Sequence, residues 1–336
     1  MSNLITTSVA ERNKDQFVSN SDAGVLKGTF PVVPTPFDGK GGVDWRGLER
    51  SAQYILEAGA DGLVFPGLAS EYAQLTEEER FEATRLIGNL CKDRVPFIVG
   101  AGASMPDAAI RFARAGAEAG AQCAMVMAPN HYADDPEAMR AFFDAVAEAA
   151  GIPIMLQNAP APMGAGLPVE QIASILSANP AIEYVKEETM PCGQRMEAIL
   201  AIAPATLKGV FGGAGGRYIL DELSRGALGT VPASELTEVH VALVSAWQRG
   251  EQEKARELFI NMLPILNMQA IFRCNLTKWV LTQRGILNTC EVRVPGPTMD
   301  EGDRQELRAF WPRVADIMGK LESRQSTPTP EEVVLP

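Results

Sequence analysis

Eight short apolar runs, each bounded by Gly or Pro, set the tightest limit on how this chain folds. They are GTFPVVP (28–34), DGLVFPG (61–67), PFIVGAG (96–102), QCAMVMAP (122–129), IPIMLQN (152–158), IEYVKEE (182–188), LKGVFGG (207–213) and ALGTVPA (227–233). Apolar and polar residues barely alternate within them, the pattern of strands buried on both faces. Helical stretches lie between the runs. TEEERFEATRLIGNLC opens with Thr76 and carries Glu79 three residues later, a capping-box spacing. VDWRGLERSAQYILEAG puts Leu48, Ala52, Ile55 and Leu56 on one face. MPDAAIRFARAGAEAG and PEAMRAFFDAVAEAAG each stop at Gly, and LPVEQIASILSANP sits between Pro168 and Pro180. Strand then helix, eight times over, predicts an α/β fold, a (β/α)8 TIM barrel spanning 25–250. A doubly wound sheet also alternates, but eight even units and no GxGxxG after the first run favour the barrel. Beyond it the pattern is purely helical, predicting a C-terminal helical domain at 251–322. Residues 1–24 and 323–336 read as polar tails.

Charge and cysteine usage exclude several functions. Thirty Lys and Arg stand against 42 Asp and Glu, a net charge of −12 in 336 residues. A general nucleic-acid binder or a protein of anionic membrane surfaces needs the opposite balance. An anionic ligand must therefore be attracted by local groups. Five scattered cysteines form no CxxC pair, and there are only His131 and His240. No metal site and no cofactor is expected on that basis, and a reduced cytoplasmic setting fits. No apolar run approaches the ~20 residues of a membrane helix, and the first residues lack a signal-peptide pattern.

A barrel of this kind carries its chemistry at the C-terminal ends of the strands. Those ends supply Thr35, Gly67 to Glu71, Gly100 to Gly102, Asn130 to Tyr132, Gln157 and Asn158, Lys186 to Glu188, Gly212 to Gly216, and Pro232 to Ser234. Lys186 is the most informative. By period-two alternation Tyr184, Lys186 and Glu188 share one side of the sixth strand, and Val185 and Glu187 the other. If Val185 meets the helices, Lys186 points into the barrel mouth. Desolvation there frees the amine as a nucleophile for a Schiff base with a ketone. The plainer alternative is a lysine paired with Glu188 or another carboxylate at the mouth.

GTFPVVPTPFD, Gly67-Leu68-Ala69-Ser70-Glu71, Gln157-Asn158-Ala159-Pro160 and YVKEET (184–189) occur in an order and spacing that resembles the dihydrodipicolinate synthase and N-acetylneuraminate lyase family. The resemblance runs from about Gly28 to Leu321. It implies a homotetramer of (β/α)8 barrels with C-terminal helices, in which Lys186 matches the lysine that forms a Schiff base with a 2-oxo acid. Three departures narrow the reading. The threonines of the family's GTTGE loop are replaced by Leu68 and Ala69. Gln157 stands for the tyrosine that relays protons, and Pro162 for the arginine that holds a second carboxylate in the synthases. The set is similar to the branch containing 2-keto-3-deoxy-L-arabonate dehydratase. It shares that branch's Ser-Glu pair, Pro129-Asn130-His131, Gln157, the following Ala-Pro and Lys186-Glu187-Glu188-Thr189.

Chemistry points the same way. An aldolase must take the proton of the C4 hydroxyl, and a glutamine cannot exchange protons near neutral pH. A dehydratase needs a base for C3–H and an acid for the departing hydroxyl, roles open to Glu188 and His131. The expectation is a Schiff-base lyase, a dehydratase of 2-keto-3-deoxy sugar acids. Lys186, Gln157, His131 and Glu188 are its catalytic set, and Ser70, Ala69, Gly213 and Val231 bind the substrate. Ser70 and neighbouring backbone N–H groups would hold the carboxylate. Gly212 to Gly216 form a tight turn that leaves room for it. Glu71 braces strand ends or caps the next helix, Tyr132 packs at a subunit contact or meets substrate, and His240 is a surface or packing residue. Without the synthases' arginine, a substrate with one carboxylate is favoured over one with two. The alternatives are a pyruvate-dependent aldolase on the same substrates and a non-catalytic barrel that binds 2-oxo acids.

Overall fold

The computed structural model describes residues 24–319. Each apolar run contributes one strand: β1 (Gly28–Thr29), β2 (Leu63–Phe65), β3 (Phe97–Gly100), β4 (Cys123–Met127), β5 (Ile154–Asn158), β6 (Ile182–Glu187), β7 (Gly209–Gly212) and β8 (Gly229–Thr230). The sheet order is β1-β8-β7-β6-β5-β4-β3-β2, and every pairing is parallel. Val32 closes the circle with parallel bridges to Val64 in β2 and to Ala233 beyond β8.

The missing alternation in the runs has a direct cause. One set of strand residues (Phe30, Val64, Ile98, Met125, Met155, Tyr184, Phe211) fills the barrel interior. The intervening set (Leu63, Phe65, Phe97, Val99, Val126, Leu156, Val185, Val210) packs outward against helices. Both faces are dry, so both are apolar. Inside, Phe211 meets Phe30 edge to face at 5.7 Å and Tyr184 at 6.0 Å.

The helices begin and end where the local chemistry asks. They are α1 (Trp45–Glu57), α2 (Glu77–Cys91), α3 (Pro106–Glu118), α4 (Pro136–Ala149), α5 (Val169–Ala178), α6 (Cys192–Ile202), α7 (Ile219–Ser224) and α8 (Thr237–Gln248). The Thr76 hydroxyl accepts from Glu79 N at 3.1 Å, and the Glu79 carboxylate accepts from Thr76 N at 3.0 Å, completing the capping box. Asp44 and Asp135 cap α1 and α4.

After β8 no further strand occurs among the described residues. The long apolar stretch after Gln252 splits into α9 (Gln252–Phe272) and α10 (Cys274–Gln283). The break is at Arg273, whose φ of 45° no helix accommodates. Two further pieces, α11 (Glu301–Phe310) and α12 (Ala315–Met318), follow. The apolar side chains of α9 to α12 form one cluster with Ile219, Leu223, Val239 and Leu243 of α7 and α8, so this cluster runs across the expected boundary at 250. No helix among the described residues is long and apolar enough to cross a membrane.

Candidate active site

β6 carries the centre of the site. Val185 packs into the helix layer and Tyr184 into the interior, so the alternation turns Lys186 inward. Lys186 lies in register with Gln157 on β5 and Phe211 on β7, and is only 4% exposed. Its Nζ stands 3.1 Å from Glu188 Oε2. Gln157 Nε2 donates to that same carboxylate oxygen at 2.7 Å, and Ala214 N donates to Oε1 at 2.9 Å. Burial alone would push the Glu188 pKa up. The charge of Lys186 and these hydrogen bonds outweigh it and hold the carboxyl below its ordinary range. Gly213 makes this fit possible, because a Cβ there would fall on Glu188 Oε1.

Lys186 and Glu188 open onto a cavity of about 250 Å³, whose walls include Val32, Ala69, Ala214, Gly215 and Val231. Lys186, Glu188, Gln157, Ala69, Gly213 and Val231 are thus brought to one region from five separate strand ends.

Ser70 is placed otherwise than the sequence suggests. It ends a single 3₁₀ turn (Leu68–Ser70) and is fully buried. Its hydroxyl donates to Val33 O at 2.5 Å and accepts from Gly67 N at 2.9 Å. Its own carbonyl accepts from the buried Thr35 hydroxyl at 2.7 Å. The hydroxyl therefore shapes the turn and does not face the cavity. The turn leaves the N–H groups of Leu68 and Ala69 without an acceptor among the described residues, and both residues line the cavity. Two adjacent free amides suit a carboxylate.

His131 also stands apart. It is exposed on the turn Asn130–Tyr132, with its ring 3.9 Å from that of Tyr132, and it is not part of the cavity wall. Tyr132 is half-buried against Phe142. His240 is fully buried and not a surface residue. Nδ1 lies 3.0 Å from Leu236 O and Nε2 3.2 Å from Gly215 O, so its ring supports the glycine-rich turn. Burial pushes its pKa down to about 4, so the ring is neutral.

Four residues escaped the sequence reading. Tyr72 lines, together with the expected Gln157, a small space beside the main cavity, with the Arg80 guanidinium 5.4 Å over the Tyr72 ring. Glu222 of α7 is buried behind β7. Arg217 and Arg273 line the main cavity. The last three come from helices and turns with no strand-end signal. Tyr72 adjoins the first loop and was within reach of a wider window. On the outer side of β6, Glu187 accepts from Asn158 Nδ2, Thr189 N and Arg195, which holds the loop after the strand.

Comparison with known proteins agrees with this geometry. The model of the dihydrodipicolinate synthetase family matches residues 25–311. An L-2-keto-3-deoxyarabonate dehydratase from Azospirillum brasilense is 30% identical over 297 residues, which is 87% of this chain and 96% of that protein. A 4-hydroxy-tetrahydrodipicolinate synthase from Maridesulfovibrio salexigens is 29% identical over 288 residues, 84% of this chain and 97% of that protein. Among solved structures, the dihydrodipicolinate synthase from Rhodopseudomonas palustris superposes with a TM-score of 0.78 at 25% identity, covering 86% of this chain and 97% of that one. Together the eight-stranded parallel barrel, the family match over most of the chain and the similarity to a dehydratase and to synthases show that this chain belongs to the dihydrodipicolinate synthetase family of lyases.

Proposed function

We propose that the protein is a class I lyase that expels water from a 2-keto-3-deoxy sugar acid bound to Lys186 as a Schiff base. The observation that carries this reading is the pairing of Lys186 with the Glu188 carboxylate, opposite a glutamine on β5.

The Lys186 ammonium passes a proton to the adjoining Glu188 carboxylate, the freed amine adds to the C2 carbonyl, and the oxygen leaves as water with that proton, so the nitrogen becomes an iminium and Glu188 is again ionised. Glu188, held ionised, is a base within reach of that nitrogen. It takes a proton from C3, and the electrons move toward the iminium to give an enamine. Return of those electrons expels the C4 hydroxyl, which leaves as water with the proton Glu188 had taken. A C3–C4 double bond remains, and hydrolysis frees Lys186. Gln157 fixes the Glu188 carboxylate and takes no proton itself. The substrate's C1 carboxylate is received by the N–H groups of Leu68 and Ala69, in place of the Ser70 hydroxyl.

Borohydride reduction in the presence of pyruvate is expected to add mass to Lys186, and Lys186→Ala to abolish it. With a 2-keto-3-deoxypentonate the expected product is the dehydrated acid. Pyruvate plus an aldehyde would overturn dehydration, and absence of any adduct would overturn the Schiff base. One observation favours that cleavage reading: the Tyr72 side chain reaches the space beside Gln157, and burial keeps its hydroxyl protonated and able to donate. On the family resemblance the protein is taken to work as a cytoplasmic homotetramer, which light scattering tests.

A further inference from the structure

Two guanidinium groups face the cavity and have no part in the reaction above. Arg217 comes from the turn between β7 and α7, and Arg273 from the break between α9 and α10, so elements more than fifty residues apart converge on one wall. Neither has a carboxylate within ion-pair distance among the described residues. Arg217 Nη1 donates to the neutral Gln269 Oε1 at 3.1 Å, and Arg273 Nη1 to Met163 Sδ at 3.3 Å, a weak acceptor.

The nearby carboxylates are committed elsewhere. Glu188 belongs to Lys186, Gln157 and Ala214 N. Glu235 accepts from Thr277 at 2.8 Å and acts on Arg217 only through space. In a chain with 42 acidic residues, carboxylates hold several surface arginines of the barrel helices, such as Arg111, Arg225 and Arg249. Arg217 and Arg273 thus bring two cations without a carboxylate partner to one cavity wall. Arg273 also sits at φ 45°, ψ −121°, a strained conformation for a residue with a side chain. That backbone carries the guanidinium across the mouth to Met163 on the loop after β5.

We propose that Arg217 and Arg273 form a subsite for a second anionic group at the far end of the substrate. The substrate is then a 2-keto-3-deoxy acid whose last carbon carries a charge, in the simplest case an aldaric acid with a carboxylate at each end. C1 sits at the Leu68 and Ala69 amides, C2 at Lys186 and the terminal anion between the two arginines. On this proposal the expectation of a single carboxylate, drawn from Pro162 in the synthases' arginine position, is replaced: the charge comes from the turn after β7 and from the break between α9 and α10, and not from the loop after β5. The position of the substrate rests on the Schiff-base reading of Lys186, but the charge preference does not.

The test compares three probes of matched chain length on the purified full-length protein: 2-oxoglutarate, 2-oxopentanoate, which ends in a methyl group, and the phosphonate analogue of 2-oxoglutarate. Calorimetry measures each Kd without requiring a covalent adduct. An anionic terminus is expected to bind at least about tenfold more tightly than the methyl terminus. Arg217→Gln and Arg273→Gln should each remove most of that preference and leave 2-oxopentanoate unchanged, and Arg217→Lys should restore part of it. The tighter of the two anionic probes identifies carboxylate or phosphate as the terminal group. Equal Kd values for charged and uncharged probes in the wild type, or an equal loss for all probes in the variants, would overturn the subsite. Borohydride trapping of pyruvate, which lacks a far end, reports Lys186 separately, so failure of the Schiff-base reading and failure of the subsite leave different signatures.

Discussion

Glu188 is the residue on which the proposed chemistry turns, because one carboxylate contacts the amine, the β5 glutamine and the glycine-rich turn at once. Its three donors favour the ionised form, which a base requires. Glu188→Gln keeps the shape and removes the proton acceptor. It should lower turnover by about 10²–10⁴-fold while pyruvate trapping on Lys186 persists, as mass spectrometry after borohydride reduction would show. Gly213→Ala acts on the same group by crowding, since the new methyl meets Glu188 Oε1. The expected result is a fall in kcat with little change in melting temperature. A variant with wild-type kcat would show that the carboxylate position does not limit the reaction.

At the scale of elements, the site depends on how α6 and α7 seat against β7. Glu222 of α7 lies against Gly212 of β7, accepts from Cys192 Sγ of α6 at 3.2 Å, and has a second oxygen without a partner. Burial, with Glu188 and Asp221 adding to it, pushes its pKa up to about 8. The folded protein thus holds Glu222 protonated at neutral pH, whereas the unfolded chain releases that proton near pH 4.5. A raised folded pKa stabilises fully below the unfolded value and loses its contribution as pH climbs through the folded one. Stability should therefore decline between about pH 4.5 and 8 on account of this group. Glu222→Gln, which keeps the acceptor for Cys192, is expected to raise the melting temperature by several degrees at pH 8 to 9 and to change little near pH 4. Scanning calorimetry across that range checks it; parallel curves for the two proteins would refute it.

Over the whole molecule, the helices after β8 are part of the site and not an appendage to it. Gln269, Arg273 and Cys274 form one wall of the cavity. Glu71, expected to brace strand ends or cap a helix, instead pairs with Lys278 of α10, and both side chains are completely buried. Thr76, and not Glu71, caps α2. Glu71 also accepts from Arg293 N at 2.6 Å and Val294 N at 2.7 Å, and the Lys278 ammonium donates to Glu291 O and lies 4.1 Å over the Phe37 ring. Removing one partner of such a pair leaves a buried charge alone. Lys278→Met should cost about 3–5 kcal/mol in urea unfolding, and adding Glu71→Gln should recover a large part of that loss. A double variant no more stable than the single one would mean that packing, and not the stranded charge, sets the cost.

The sequence by itself determined the barrel, the helix starts and the inward aim of Lys186. Each of these follows from patterns a few residues long: double-sided apolar runs, caps at fixed spacing, and alternation along one strand. Gln157 and Glu188 were also legible, since they sit at or just beyond the ends of neighbouring strands whose register is set by the sheet. Only the tertiary structure decided that the Ser70 hydroxyl turns toward Val33, that His131 stays outside the cavity, that Lys278 meets Glu71 across 207 positions, and that Arg217 and Arg273 share a wall. These outcomes depend on loop backbones and on how remote helices pack. No local period in the chain records them, because the groups that meet are distant in sequence and their meeting is fixed by burial and charge pairing after the elements have formed.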